Sequence, residues 1–154
     1  MKLSKWNEKV HNKLDDLTAG NGAFYCNRDD GVLFTDKSGA WLLFCPGVKM
    51  LSANGGKNNR PLLNEYWDRT IRGNGQLSES SEAGTLNGEK VHRFSAGDTV
   101  VYCADKFLRQ FPKNTLFYVE SMTRPVTAGI WENGQLTIIG LIMPVFPRSE
   151  FVPA

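Results

Sequence analysis

Lys5, Lys9 and Lys13 recur at intervals of four, with Lys2 just ahead of them. On a helix that spacing puts Lys5, Lys9 and Lys13 on one side. Lys106, Arg109 and Lys113 form a second basic cluster late in the chain. Such clusters can hold a row of anionic groups by charge alone. They can equally be solvated helix surface. Glu8, Asp15 and Asp16 partly neutralise the first stretch, and Lys5 with Glu8 or Lys13 with Asp16 make ordinary i, i+3 pairs.

Other chemistry is sparse. The two histidines are His11, on the polar side of a helix, and His92, in the run Val91-His92-Arg93-Phe94. No serine or cysteine stands in a nucleophile motif, so both histidines read as surface residues. Cys26, Cys45 and Cys103 are odd in number and lack C-x-x-C spacing, which argues against a disulfide framework and against a zinc site. Each lies in an apolar run, as a buried free thiol would, and reduced thiols suit a cytoplasmic location. Asp29, Asp30 and Asp36 do not match a calcium loop and read as turn residues. Asn54-Gly55-Gly56-Lys57 lacks the first Gly and the Ser/Thr of a phosphate loop. No cofactor or metal is expected. Most of Trp6, Trp41, Tyr66, Trp67 and Trp131 sit on apolar faces and read as core. Trp67 with Arg69 and Arg72 is the one cluster suggesting base stacking.

The elements that must position these residues follow from periodicity. Trp6, Val10, Leu14 and Leu17 make one apolar stripe, so 3–17 reads as an amphipathic helix with Ser4 as N-cap and Gly20 or Gly22 as stop. Three short strands follow between 23 and 45, punctuated by Arg28-Asp29-Asp30-Gly31 and Asp36-Lys37-Ser38-Gly39. The stretch 52–97 reads as an irregular insert. It begins as a loop over 52–61, carries a short helix at 62–71 with Leu63, Tyr66 and Trp67 on one side, and has a polar loop from Gly73 to Gly88. Then come a strand at 99–103, a helix at 105–111, and strands at 116–120, 125–131 and 136–145, with Asn133-Gly134 as a hairpin turn. Residues 147–154 read as a tail. Each half (1–51 and 98–146) thus has a helix followed by three strands.

With 154 residues, 41 % hydrophobic and 22 % charged, the chain fits one globular domain. Net charge is +2 and the pI about 8.4, only mildly basic, so any anionic partner requires the charge to be gathered on one face. The first residues lack a signal-peptide core, and no run of about 18 apolar residues suggests a membrane span.

The segment from Thr99 to Phe146 resembles the closing half-domain of bacterial DNA sliding clamps. Ala104-Asp105-Lys106-Phe107-Leu108 stands at the helix start, and Arg124-Pro125-Val126 opens the next strand. Asn133-Gly134 makes the turn, and Ile142-Met143-Pro144-Val145 closes the last strand. Asp30-Gly31-Val32-Leu33-Phe34 and Ser38-Gly39-Ala40-Trp41-Leu42-Leu43-Phe44 resemble the strand-turn-strand after the first clamp helix. The family carries three such domains per chain and closes a ring of six; this sequence carries one, and has Val145-Phe146-Pro147 where Met-Arg-Leu would stand.

The resemblance implies an α+β fold, a DNA-clamp-like domain with two helices on a curved, mostly antiparallel sheet in two pseudo-repeated halves. It implies that Lys2, Lys5, Lys9, Lys13, Lys106, Arg109 and Lys113 face the phosphates of double-stranded DNA without reading bases. It also implies that Met143, Pro144 and Val145 border a pocket for short hydrophobic peptides of replication proteins; the alternative is a strand end packed in the core. The function expected is a non-enzymatic DNA- or replication-associated module able to self-assemble. The alternative is a monomeric adaptor or inhibitor that keeps the fold and binds protein.

Overall fold

The computed structural model describes residues 2–19, 23–36, 38–47, 60–71 and 75–154, with the side chains of 14–19 and 23 left out. It is an α+β structure of mostly antiparallel strands. Helix α1 spans Leu3–Ala19, followed by β1 (Ala23–Arg28), β2 (Gly31–Asp36) and β3 (Trp41–Pro46). Helix α2 spans Leu62–Ile71. Next come β4 (Gln76–Leu77), β5 (Ser80–Leu86), β6 (Glu89–Ala96) and β7 (Thr99–Ala104). The one-turn helix α3 (Asp105–Leu108) leads to β8 (Leu116–Val119), β9 (Val126–Glu132), β10 (Gln135–Ile142) and β11 (Val152–Pro153).

The strands form two sheets. The larger has the order β1-β2-β3-β10-β9-β8-β4 and the smaller β11-β5-β6-β7. In the larger sheet, β1-β2-β3 and β8-β9-β10 are mirrored about the antiparallel pair β3–β10. That pair joins the halves through Gly140 opposite Leu43, Leu141 opposite Leu42 and Ile142 opposite Trp41.

Alternation along β2 and β3 sorts their side chains between two cores. Val32, Phe34, Trp41, Leu43 and Cys45 point to one face, where they meet α1 through Trp6 and Val10 and the smaller sheet through Phe94, Val101 and Cys103. Leu33, Leu42 and Phe44 point to the other face, with Leu141, under Trp67 of α2. The continuous apolar runs of these strands are what a sheet covered on both faces requires. The helices therefore lie on opposite faces of the sheet.

Trp6 is fully buried, donates its indole N–H to the Phe44 carbonyl at 3.0 Å, and stacks on Phe111 at 5.7 Å. Phe111 in turn lies over Gly140, where an added Cβ would stand 2.6 Å from the ring. The register of β10 shifts between Ile138 and Gly140. This bulge points Ile139 and Gly140 into the same core, as Ile139 packing and the Phe111 contact show.

Several expectations change. The N-terminal cap of α1 is not Ser4, which lies inside the helix: the Leu3 N–H donates to Glu132 Oε2 at 2.8 Å, an acid from β9 placed at the positive end of the helix dipole. Leu14, Leu17, Asp15 and Asp16 are side chains outside the described residues, as are Gly20, Gly22, Lys37, Arg72, Gly73 and Asn54-Gly55-Gly56-Lys57. The 105–111 helix is a single turn ending at Leu108. The expected polar loop through Gly88 is instead the β5–β6 hairpin, turned at Asn87 and Gly88 with positive φ. The three helices read from the sequence are present, one more than the clamp resemblance implies.

The end of the chain is not a loose tail. Val152 and Pro153 pair with Thr85 and Gly84, and Asn87 binds Phe146, Arg148 and Ser149. Phe151 packs against Tyr102 at 5.5 Å and occupies the space a side chain at Gly84 would need.

Trp6→Ala removes the stack and strands the Phe44 carbonyl, and should cost about 3–5 kcal/mol in urea unfolding. Trp6→Phe, which loses mainly the hydrogen bond, should cost about 1–2 kcal/mol. Gly84→Val should release residues 146–154, seen as faster amide exchange at Ala154, whose N–H donates to Ala83 at 3.0 Å.

Candidate functional site

The two basic segments meet at Gln110, just past α3. Lys9 Nζ donates to the Gln110 carbonyl at 3.0 Å, and Lys13 Nζ donates to its side-chain oxygen. The Trp6–Phe111 stack explains the meeting, because it fixes the chain after α3 against α1. Lys5 and Lys9 are exposed on α1 and Lys2 just ahead of it, and Arg109 and Lys113 are exposed beside Gln110.

The seven cations are not equivalent. Lys13 is half-buried, with its ammonium 4.8 Å from the centre of the Trp41 ring. Burial lowers its pKa and Lys9 adds to the depression, while Asp36 opposes both. Lys13 is thus held inward by an aromatic face and an amide. Lys106 pairs with Glu89 at 3.8 Å, and Arg109 with Asp105 at 2.7 Å.

Beside this surface lies a groove of about 700 Å³. Its apolar lining includes Leu108, Phe111, Pro112 and Phe117, and its polar lining His92, Asp105, Arg109 and Lys113. His92 Nε2 lies 2.9 Å from Asp105 Oδ1, and His92 Nδ1 lies 3.2 Å from Ser81 Oγ. Burial by itself raises the Asp105 pKa. Hydrogen bonds from His92 and Arg109, with their charges, outweigh it and hold the carboxyl below its ordinary value. Asp105 is therefore ionised near neutrality and only accepts hydrogen bonds. That assigns the Nε2 proton to His92 and, in the neutral ring, leaves Nδ1 as the acceptor for the Ser81 hydroxyl.

No family model, curated protein or solved structure matches the chain.

The other expected sites are placed as follows. Met143 accepts a hydrogen bond from the Tyr66 hydroxyl at 3.0 Å through its sulfur. The Val145 N–H donates to the Tyr102 carbonyl at 2.7 Å and the Met143 N–H to the Ala40 carbonyl at 2.9 Å, so this backbone is tied down rather than open. The cavity at Met143 holds only about 60 Å³, small for a hydrophobic peptide motif, and Pro144 does not line it. Asp30 pairs with Arg28 at 2.9 Å, and Asp36 accepts from the Ser38 N–H at 2.8 Å, so both serve local structure. Among the described residues no group of three or more His, Cys, Asp or Glu is placed to hold a metal ion. Trp67 is buried against Phe44 and offers no stacking face, whereas Trp131, read as core, is 59 % exposed. Cys26, Cys45 and Cys103 are free and buried, and burial pushes the last two thiols up to about 11 and about 12. No helix among the described residues is long and apolar enough to cross a membrane.

Sequence reasoning missed Ser81 and Asp105, and set His92 aside as a surface residue. Ser81 was hidden by reading its strand as loop. The available signal was Asn87-Gly88, the same dipeptide as the recognised turn at Asn133-Gly134. That hairpin sets Ala83 opposite His92 and brings Ser81 within reach of the ring.

Because the Asp105 pKa is depressed on folding, its ionised form adds stability at pH above the unfolded value, and this is lost as pH falls through the folded value. Urea unfolding from about pH 5 down to about pH 2 should show the loss in the parent. Asp105→Asn should flatten that part of the profile and cost about 1–2 kcal/mol at neutral pH.

Proposed function

We propose that this chain is a DNA-associated, clamp-like module that holds duplex DNA by its phosphates. The contact face in this reading is formed by Lys2, just ahead of α1, Lys5 and Lys9 of α1, and Arg109 and Lys113 beyond α3. The observation that carries it is the double hold on Gln110, because it gathers cations from two segments 101 positions apart into one surface. A nearly neutral chain acquires in this way a local positive face. Exposed cationic side chains suit sequence-independent phosphate contact, which positions a protein on DNA without reading bases.

The mirrored order β1-β2-β3-β10-β9-β8 supports the clamp-like part of the reading, since it relates two helix-plus-three-strand units about one central pair. Self-assembly would use sheet edges. β1 and β7 are the outermost long strands of the two sheets; Arg60 N–H already donates to the Tyr25 carbonyl and Val145 N–H to the Tyr102 carbonyl, so a second copy would have to extend the rest of these edges. The adaptor reading gains less, because Tyr66 and Tyr102 already engage Met143 and Val145.

The test is duplex binding across a salt series, with solution mass measured by light scattering in parallel. The parent should bind more weakly as salt rises. A variant with Lys2, Lys5 and Lys9 all changed to alanine should lose about 2–3 from the slope of log K against log salt, for three phosphate contacts removed. Lys2 and Lys5 are exposed, and among the described residues the only bond lost is the exposed one from Lys9 to Gln110, so the urea midpoint should fall only slightly. Equal binding by parent and variant would discard the α1 face. Retention of a protein partner at high salt, with no DNA binding, would favour the adaptor.

A further inference from the structure

Ser81, His92 and Asp105 come from β5, β6 and α3 and are linked in series by hydrogen bonds of 3.2 Å and 2.9 Å. The ionised Asp105 fixes the tautomer and orients the ring, leaving the His92 Nδ1 lone pair directed at a hydroxyl. That is the division of labour that activates a serine: a nucleophile, a base within reach of its proton, and a carboxylate that holds the base. Ser81 is exposed at the groove, so its oxygen is open to a ligand.

A second, independent feature points to an occupant. Thr115 lines the same groove, is nine-tenths buried, and its Oγ1 has no hydrogen-bond partner among the described residues. Buried hydroxyls are normally satisfied. A ligand oxygen reaching it would supply what it lacks. Arg109 and Lys113 line the same groove and add positive charge to it.

We propose that Ser81, His92 and Asp105 form a nucleophilic site that hydrolyses esters of short apolar carboxylic acids. The apolar acyl group would lie against Leu108, Pro112 and Phe117. Ser81 Oγ adds to the ester carbonyl carbon while its proton passes to His92 Nδ1. The tetrahedral oxyanion collapses, the carbon–oxygen bond to the alcohol breaks, and His92 returns the proton to the departing alkoxide. Water then gives a proton to His92 and attacks the Ser81 ester. The acid leaves and Ser81 regains its hydrogen. The balance is ester plus water to acid plus alcohol. This site does not depend on the DNA-binding reading, and the two can fail separately.

The experiment treats the full chain with a fluorophosphonate, in which Ser81 Oγ would displace fluoride from phosphorus, and locates the adduct by peptide mass mapping. Hydrolysis of p-nitrophenyl butyrate is measured alongside. The parent should carry the adduct on Ser81. Ser81→Ala should lose the adduct and lower the hydrolytic rate about 100-fold. His92→Gln should slow labelling of Ser81 by at least about tenfold. Ser80→Ala, one position away on β5, should leave both readouts unchanged. Circular dichroism confirms that each variant is folded; Ser81 is exposed, so its alanine variant remains the decisive one if His92→Gln unfolds. An unlabelled Ser81 in the parent, or equal hydrolysis by parent and Ser81→Ala, would overturn the proposal and leave the series a structural tie between the hairpin and α3.

Discussion

The stack of Trp6 on Phe111, seated over Gly140, is the contact on which the other features depend. It joins the first helix to the segment after the third, and both to the bulged strand at the centre of the larger sheet. Its geometry is demanding at every layer. The indole must reach the Phe44 carbonyl, the phenyl ring must lie flat on the indole, and residue 140 must lack a side chain. Burying two large aromatic rings offsets the ordering of a seven-residue stretch, Arg109 to Thr115, that otherwise has one turn of helix before it and no strand. The surface features follow from that ordering. Gln110 faces α1 because Phe111 is held there, and Arg109 and Lys113 take their places on either side.

The parts legible in the sequence were those whose signal is local. The α1 stripe of Trp6 and Val10, the strands around Asp36 and Asn133-Gly134, and the apolar side of α2 at Leu63, Tyr66 and Trp67 all announce themselves within a few residues. What failed was long-range or carried a mixed signal. Ser80 to Leu86 is polar because most of that strand is exposed, so its pattern looked like loop. Its Asn-Gly turn was the clue that should have outweighed composition. The cap from Glu132 lies 129 positions from the helix it serves and leaves no mark near Leu3. The C-terminal residues looked like a tail because Pro147 and Pro153 interrupt any strand pattern. Proline is nevertheless tolerated at a sheet edge, where its missing N–H is not needed.

The candidate site shows the same division. Basic spacing on α1 was readable, but spacing cannot tell an exposed lysine from one turned onto an aromatic ring. Lys9 and Lys13 are four residues apart and share a partner, yet one is exposed and the other lies over Trp41. The difference arises because Trp41 of β3 lies within reach of the Lys13 ammonium, a tertiary fact. His92 is a parallel case. Alone in sequence it is a polar residue in a strand. Its chemistry comes from Asp105, thirteen positions on, across a strand and a turn.

Asp105 links the groove to the basic surface. Its Oδ1 accepts from His92 and its Oδ2 from Arg109, so one carboxylate anchors the hairpin on one side and a surface cation on the other. A carboxylate with two charge-assisted partners is worth more than either pair alone when it is partly shielded from water. Arg109 is far more exposed than Asp105, so of the two bonds the one to His92 is the better shielded from water. Through its two oxygens the carboxylate ties the placement of the β5–β6 hairpin to that of the segment after α3.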